Sequence, residues 1–219
     1  MNKRGTIGAL GIIILLFAAG LIFFFWISSL TDSWEDNALA RTCFESVETK
    51  DTALNIEGFI DDAIPLGIYD PSEPGSGLKC FTQSNEIKTS NELEIKQELA
   101  QSMLGCYDQF GQCEKNPFGL HDNTYCFICS INAFEHKDLE IQEFQEYLDT
   151  TFAPGKGGLT YSEYFDSQQL DIILTENNQA IVYSFEYNNG PGECGLILTD
   201  YTEEGINALD CTYIMNSLN

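Results

Sequence analysis

Between Arg4 and Asp32 the chain runs 27 residues without a charge, with IGALGIIILLFAAGLIFFFWISSL at the centre. An α-helix needs about 20 apolar residues to cross a hydrocarbon core of about 30 Å, so this run is long enough to span a bilayer. Lys3 and Arg4 favour a cytoplasmic start. Everything after Leu30 is then expected outside the cytoplasm. Trp26 and Trp34 suit the outer membrane interface, where an indole keeps its ring among headgroups and its N–H in water. A cleaved secretory signal has a shorter apolar stretch, roughly 7–15 residues, and a small-residue cleavage site. Here the stretch is much longer and lacks an Ala-x-Ala pattern, so a permanent single-pass signal anchor is the simpler reading. Lys3-Arg4-Gly5 before a long apolar helix also resembles a prepilin-like leader cut after glycine. That alternative makes the chain a filament subunit.

These features divide the chain into three parts. Residues 1–30 form a cytoplasmic stub and transmembrane anchor, with residues 7–30 in the lipid. Residues 31–50 form a juxtamembrane helix or stalk, and residues 51–219 an acidic extracytoplasmic α+β domain. The composition sets 34 acidic against 10 basic side chains. With Lys3 and Arg4 set aside, the exterior part carries a formal charge of −26. Such a surface repels nucleic acid and anionic lipid and attracts cations or a basic partner. At 43% hydrophobic and 12% aromatic the chain has the material for a packed core. No Asn-x-Ser/Thr occurs, so no asparagine-linked glycan is expected.

Along the exterior part, Thr89-Ser90-Asn91-Glu92 resembles a capping box. Ile95, Leu99, Met103, Cys106 and Phe110 then recur at helical spacing, predicting a helix over about 90–110 that Gly111 stops. Residues 124–134 (TYCFICSINAF) read as a buried strand. Residues 138–152 read as a short helix burying Ile141, Phe144 and Leu148, and Pro154-Gly155-Lys156-Gly157-Gly158 as a turn. QLDIILTE and QAIVYSFEY around Asn177-Asn178 predict a hairpin. CGLILTDY and a last strand near 210–216 would complete an antiparallel meander with helices packed on it.

Cys43, Cys80, Cys106, Cys113, Cys126, Cys129, Cys194 and Cys211 are an even set in an oxidising location, which reads as a disulfide framework. Pairing by region joins Cys43 to Cys80 and Cys194 to Cys211. The central four then form two bridges around the 90–110 helix and the 124–134 strand. Cys126-Phe127-Ile128-Cys129 has the spacing of a thiol–disulfide oxidoreductase, and that activity is a second alternative. A reactive thiol, however, needs an exposed, electropositive setting. This pair lies among Tyr125, Phe127, Ile128 and Ile131, and positions i and i+3 of a strand face opposite sides. Separate partners are therefore expected. His121, Cys126, Cys129 and His136 offer the ligand types of a zinc site, but their spacing matches no common finger and an oxidant consumes the thiols. Gly155-Lys156-Gly157-Gly158 lacks the phosphate-loop pattern, and neither Gly-x-Ser-x-Gly nor His-Glu-x-x-His occurs. No catalytic residue, resident metal or cofactor is expected.

The stretches ALARTCFESV, GLKCFT, LAQSMLGCYDQFG, YCFICSINAF and LTYSEYF, in this order after a basic start and anchor, resemble uncharacterised single-pass, cysteine-containing membrane proteins of DPANN archaea. In that group a tryptophan commonly follows the helix cysteine and a Gly-Glu-Gly-Lys stretch comes next. Here Tyr107 and Gly111-Gln112-Cys113-Glu114-Lys115 stand there, and the added Cys113 departs from the pattern. The resemblance implies a compartment and an archaeal source, with no activity to carry over. Together these features point to a structural or interaction protein on the outer face of the cell membrane. It would belong to a surface assembly, with a protein partner or self-association and no nucleic acid.

Overall fold

The computed structural model describes residues 40–51, 77–118, 123–165, 172–186 and 193–215. These described residues belong to one compact unit. Lys3, Arg4, Trp26, Trp34, His121 and the apolar run at 7–30 lie outside the described residues. Among the described residues no helix is long and apolar enough to cross a membrane.

The periodic stretch forms α2 (Glu92–Gln109) and buries all five of the expected apolar positions. Its cap is Asn91, whose Oδ1 accepts from the Leu93 amide at 3.0 Å. The capping box expected at Thr89 is therefore replaced. Thr89 instead accepts from the Asn91 amide and donates to Glu94, which holds the approach to the helix. At the other end Gly111 has φ +73°, a conformation a side chain disfavours. The Gly111 amide donates to the Asp108 carbonyl and the Gln112 amide to the Tyr107 carbonyl, the paired bonds of a Schellman end.

Before α2 come α1 (40–51) and β1 (Gln83–Ile87), and after it β2 (Thr124–Phe134). β1, α2 and β2 form a βαβ unit, so β1 lies parallel to β2. Next come β3 (Glu140–Gln142), α3 (Phe144–Thr150), α4 (Tyr161–Phe165) and β4 (Ile172–Leu174). The chain continues through β5 (Gln179–Glu186), β6 (Glu193–Asp200), α5 (Glu203–Asn207) and β7 (Tyr213–Met215). The main sheet runs β1-β2-β5-β6, with β7 also on β2. The fold is α+β, but the sheet is mixed: β5 is antiparallel to both β2 and β6, whereas β1 and β7 are parallel to β2. An antiparallel meander is thus corrected at both ends of the chain order.

The hairpin around Asn177-Asn178 is corrected too. β5 is buried along nearly all its length and takes β2 and β6 on its two sides, leaving no edge for β4. β4 instead pairs with β3 in a separate two-stranded sheet. Buried Thr175 fixes this turn, accepting from the Leu139 amide through its hydroxyl and donating its own amide to the Leu139 carbonyl. The expected helix over 138–152 shrinks to α3, because Ile141 is on β3 and Glu143 has φ +55° between them. Ile141, Phe144 and Leu148 are nonetheless buried.

The sheet's first face carries the main core. Tyr125, Phe127, Ile181, Tyr183, Phe185, Leu196 and Leu198 pack there against the apolar faces of α1 to α4. Phe110 stacks on Tyr183 with ring centres 4.4 Å apart. Each such buried side chain contributes roughly 1.5–3 kcal/mol. A polar ladder fixes the register at one level. Asn85 donates to Asn132 at 3.0 Å, Asn132 to the Gln179 carbonyl, and the Gln179 amide to Asp200. These four residues are register partners across β1, β2, β5 and β6. A slip by one residue would strand buried amides without partners.

Candidate functional site: a groove on the second face of the sheet

All eight cysteines are bridged: Cys43–Cys80, Cys106–Cys129, Cys113–Cys194 and Cys126–Cys211. The first pairing is the one expected by region, and Cys106–Cys129 lies among the central four. Cys194–Cys211 is overturned. β5 and β2 stand between β6 and β7, so the two strands are about 14 Å apart at ordinary strand spacing. A disulfide needs Cα atoms within about 7 Å. Cys113 and Cys126 take those partners instead.

Cys126 and Cys129 point to opposite faces of β2, each buried (0% and 3% exposed). Cys129 fastens α2 to the first face, and Cys126 fastens the 203–212 segment to the second. The pair is therefore a two-sided rivet in the central strand and not a vicinal dithiol. The zinc alternative loses both thiolates for the same reason. His136 is exposed, and among the described residues no group of ligating side chains could hold a metal.

The Gly-rich turn also has a structural account. Lys156 Nζ lies 2.8 Å from both Asp108 carboxylate oxygens and 4.6 Å from the Tyr164 ring centre. Tyr164 donates to Asp108 at 2.6 Å. Burial is the largest single influence and works against the Lys156 charge, but the hydrogen bonds and charge of Asp108 and Tyr164 together outweigh it and raise the pKa. Each group has its partner, so this trio ties the 154–164 segment to α2.

The second face is covered differently. Cys126, Ile128, Ile131, Ala180 and Val182 form a small apolar cluster there, overlain by Tyr201, Ile206, Leu209 and Cys211. Among the described residues, the five-residue α5 and its flanking turns make this layer. Thr202 caps α5, its hydroxyl accepting from the Gly205 amide at 3.0 Å. Gly205 sits so close to β6 that a Cβ would lie 2.3 Å from the Asp200 carbonyl oxygen. The Tyr201 amide donates to Asn178 at 2.7 Å, holding the entrance of the turn.

Between α5 and β7 this thin layer leaves a groove of about 280 Å³. Ile128 is its floor, Tyr201, Ile206 and Ile214 its apolar walls, and Glu203 and Asn207 stand at the rim. Ile214 remains 39% exposed. Organic ligands usually occupy pockets of about 300–1,000 Å³. This one lies at the lower edge of that range.

The sequence carried an unread signal for the site. Lys156 is the last basic residue, and residues 157–219 contain no Lys, Arg or His. Every groove residue except Ile128 comes from that cation-free stretch. No protein-family model matches the chain, no curated protein matches its sequence, and no solved structure matches its fold.

Proposed function

We propose that the chain is a membrane-anchored interaction protein on the outer face of an archaeal cell envelope. The apolar run at 7–30 holds it in the bilayer, and the disulfide-bridged α+β unit presents the α5–β7 groove to a protein partner. The supporting observation is the pairing of all eight cysteines across the unit, which suits an oxidising compartment. The resemblance to anchored archaeal proteins and the acidic, soluble surface agree with that location. The groove's apolar walls beside exposed Glu203 suit the side chains of a protein partner.

The test is mass mapping of the chain isolated from membranes, alkylated before and after reduction. The expected result is a carbonate-resistant membrane protein in which no cysteine is alkylated until the disulfides are reduced. Free thiols in the isolated chain, or its release by carbonate, would overturn the reading. N-terminal sequencing of the same preparation separates an uncut anchor from a filament subunit, which would begin at Thr6.

A further inference from the structure

We infer that the α5–β7 groove binds a basic, amphipathic peptide segment of a partner protein, with an aliphatic side chain between Ile206 and Ile214 and a Lys or Arg beside Glu203. This rests on the reading of the chain as an interaction protein and names the partner's chemistry. Two observations carry it. The first is the form of the groove, an apolar cleft between half-buried Ile206 and Ile214, the latter 39% exposed. Filling it removes apolar surface from water on both sides, the main driving term in association.

The second is charge. The described stretch that supplies all of the groove's lining except Ile128, residues 193–215, holds five carboxylates and no basic side chain. Among the described residues, Lys137 is a cation tied to this region, donating to Asn178 Oδ1 at 3.0 Å. Glu203 and Glu204 are exposed on α5, with Asp210 exposed just beyond it. An anionic occupant would meet that field unscreened, and so would a second copy of a chain with net charge −24. A cationic rim around an apolar anchor complements both features of the site. Electrostatic complementarity of this kind fixes orientation and speeds encounter.

The experiment uses the full-length oxidised chain in nanodiscs of zwitterionic lipid, with empty discs as reference. The probe is a fluorescent heptapeptide of alternating lysine and leucine, followed by anisotropy. Saturable binding is expected, weakened about tenfold or more by Glu203→Lys or Ile214→Ser, since truncating a central anchor has effects of this size. Both positions are exposed, so each variant should keep its four disulfides. Glu146→Lys, on exposed α3 surface, makes the same charge change elsewhere and should alter affinity less than about twofold. Replacing leucine by serine, or lysine by glutamate, in the probe should abolish binding.

Equal weakening by Glu146→Lys would reduce the effect to diffuse charge and overturn the inference. So would undiminished binding of the serine or glutamate probe. Equal association with empty discs would make lipid the occupant and also overturn it. Lost peptide binding in a chain with all cysteines bridged would leave the anchored, exterior reading standing. Free thiols with intact binding would do the reverse.

Discussion

Tyr183 places its hydroxyl in the main core, where it has no hydrogen-bond partner among the described residues, while its ring stacks on Phe110. Burial pushes the phenol's pKa far up. A buried hydroxyl without a partner costs about 1–3 kcal/mol. Tyr183→Phe should therefore stabilise the oxidised chain by about 1 kcal/mol, read from denaturant midpoints. A loss of stability would reveal a bond that the hydroxyl makes. Lys50 is the opposite case, a charge held on α1 at 6% exposure. Burial lowers its pKa from 10.5 to about 8. The folded state thus binds fewer protons than the unfolded state between those values, so this group's contribution to stability rises with pH across that window. Below about pH 8 the cost of holding the charge is fully present. The stability difference between the wild type and Lys50→Met should shift in favour of the wild type by up to about 3 kcal/mol from pH 8 to 10.5. A difference that stays flat over that range would show that Lys50 titrates as it does in water.

Elements here are decided by what lies on both sides of them. β5 and the segment before it both look like hairpin strands, yet β4 is three residues long and pairs with β3, whereas the eight residues of β5 pair with β2 on one side and β6 on the other. β1 (QSNEI) is short and polar, so it gave no strand signal, and α2 carries it back alongside β2. α5 depends on its seating. The Gly205→Ala side chain would drive into the Asp200 carbonyl, which belongs to β6 backbone and cannot yield as a flexible side chain would. We expect a loss of about 2 kcal/mol or more, typical of a forced backbone shift. The groove should be lost with it while the first-face core remains, visible as altered amide spectra confined to residues near 199–214. Retention of both stability and spectra would mean that α5 is less closely seated than described.

At the scale of the molecule, two large effects oppose each other. A net charge of −24 repels itself in the compact state. Four bridges, closing separations of 23 to 85 residues, restrict the unfolded chain. Each contributes roughly 3.5–4.5 kcal/mol in the chain-entropy picture, less where the loops overlap. Added salt should therefore raise the melting temperature, most steeply below about 0.15 M, where the screening length is longest. A melting temperature indifferent to salt would show that the carboxylates are dispersed enough not to repel.

Local pattern alone determined α2 with its apolar face, β2 as a buried strand and the even cysteine set, because helical periodicity, a short apolar run and a residue count are all read without knowing which distant segments meet. It also told that Cys126 and Cys129 would seek different partners, since strand side chains alternate. Which partners they found, the parallel placement of β1 and β7, and the separation of β4 from β5 were settled only by tertiary structure. Those choices depend on distances between segments far apart in the chain. The groove belongs with them: its floor comes from Ile128 and its walls from residues beyond 200, and only the packing of α5 over β2 makes them one surface.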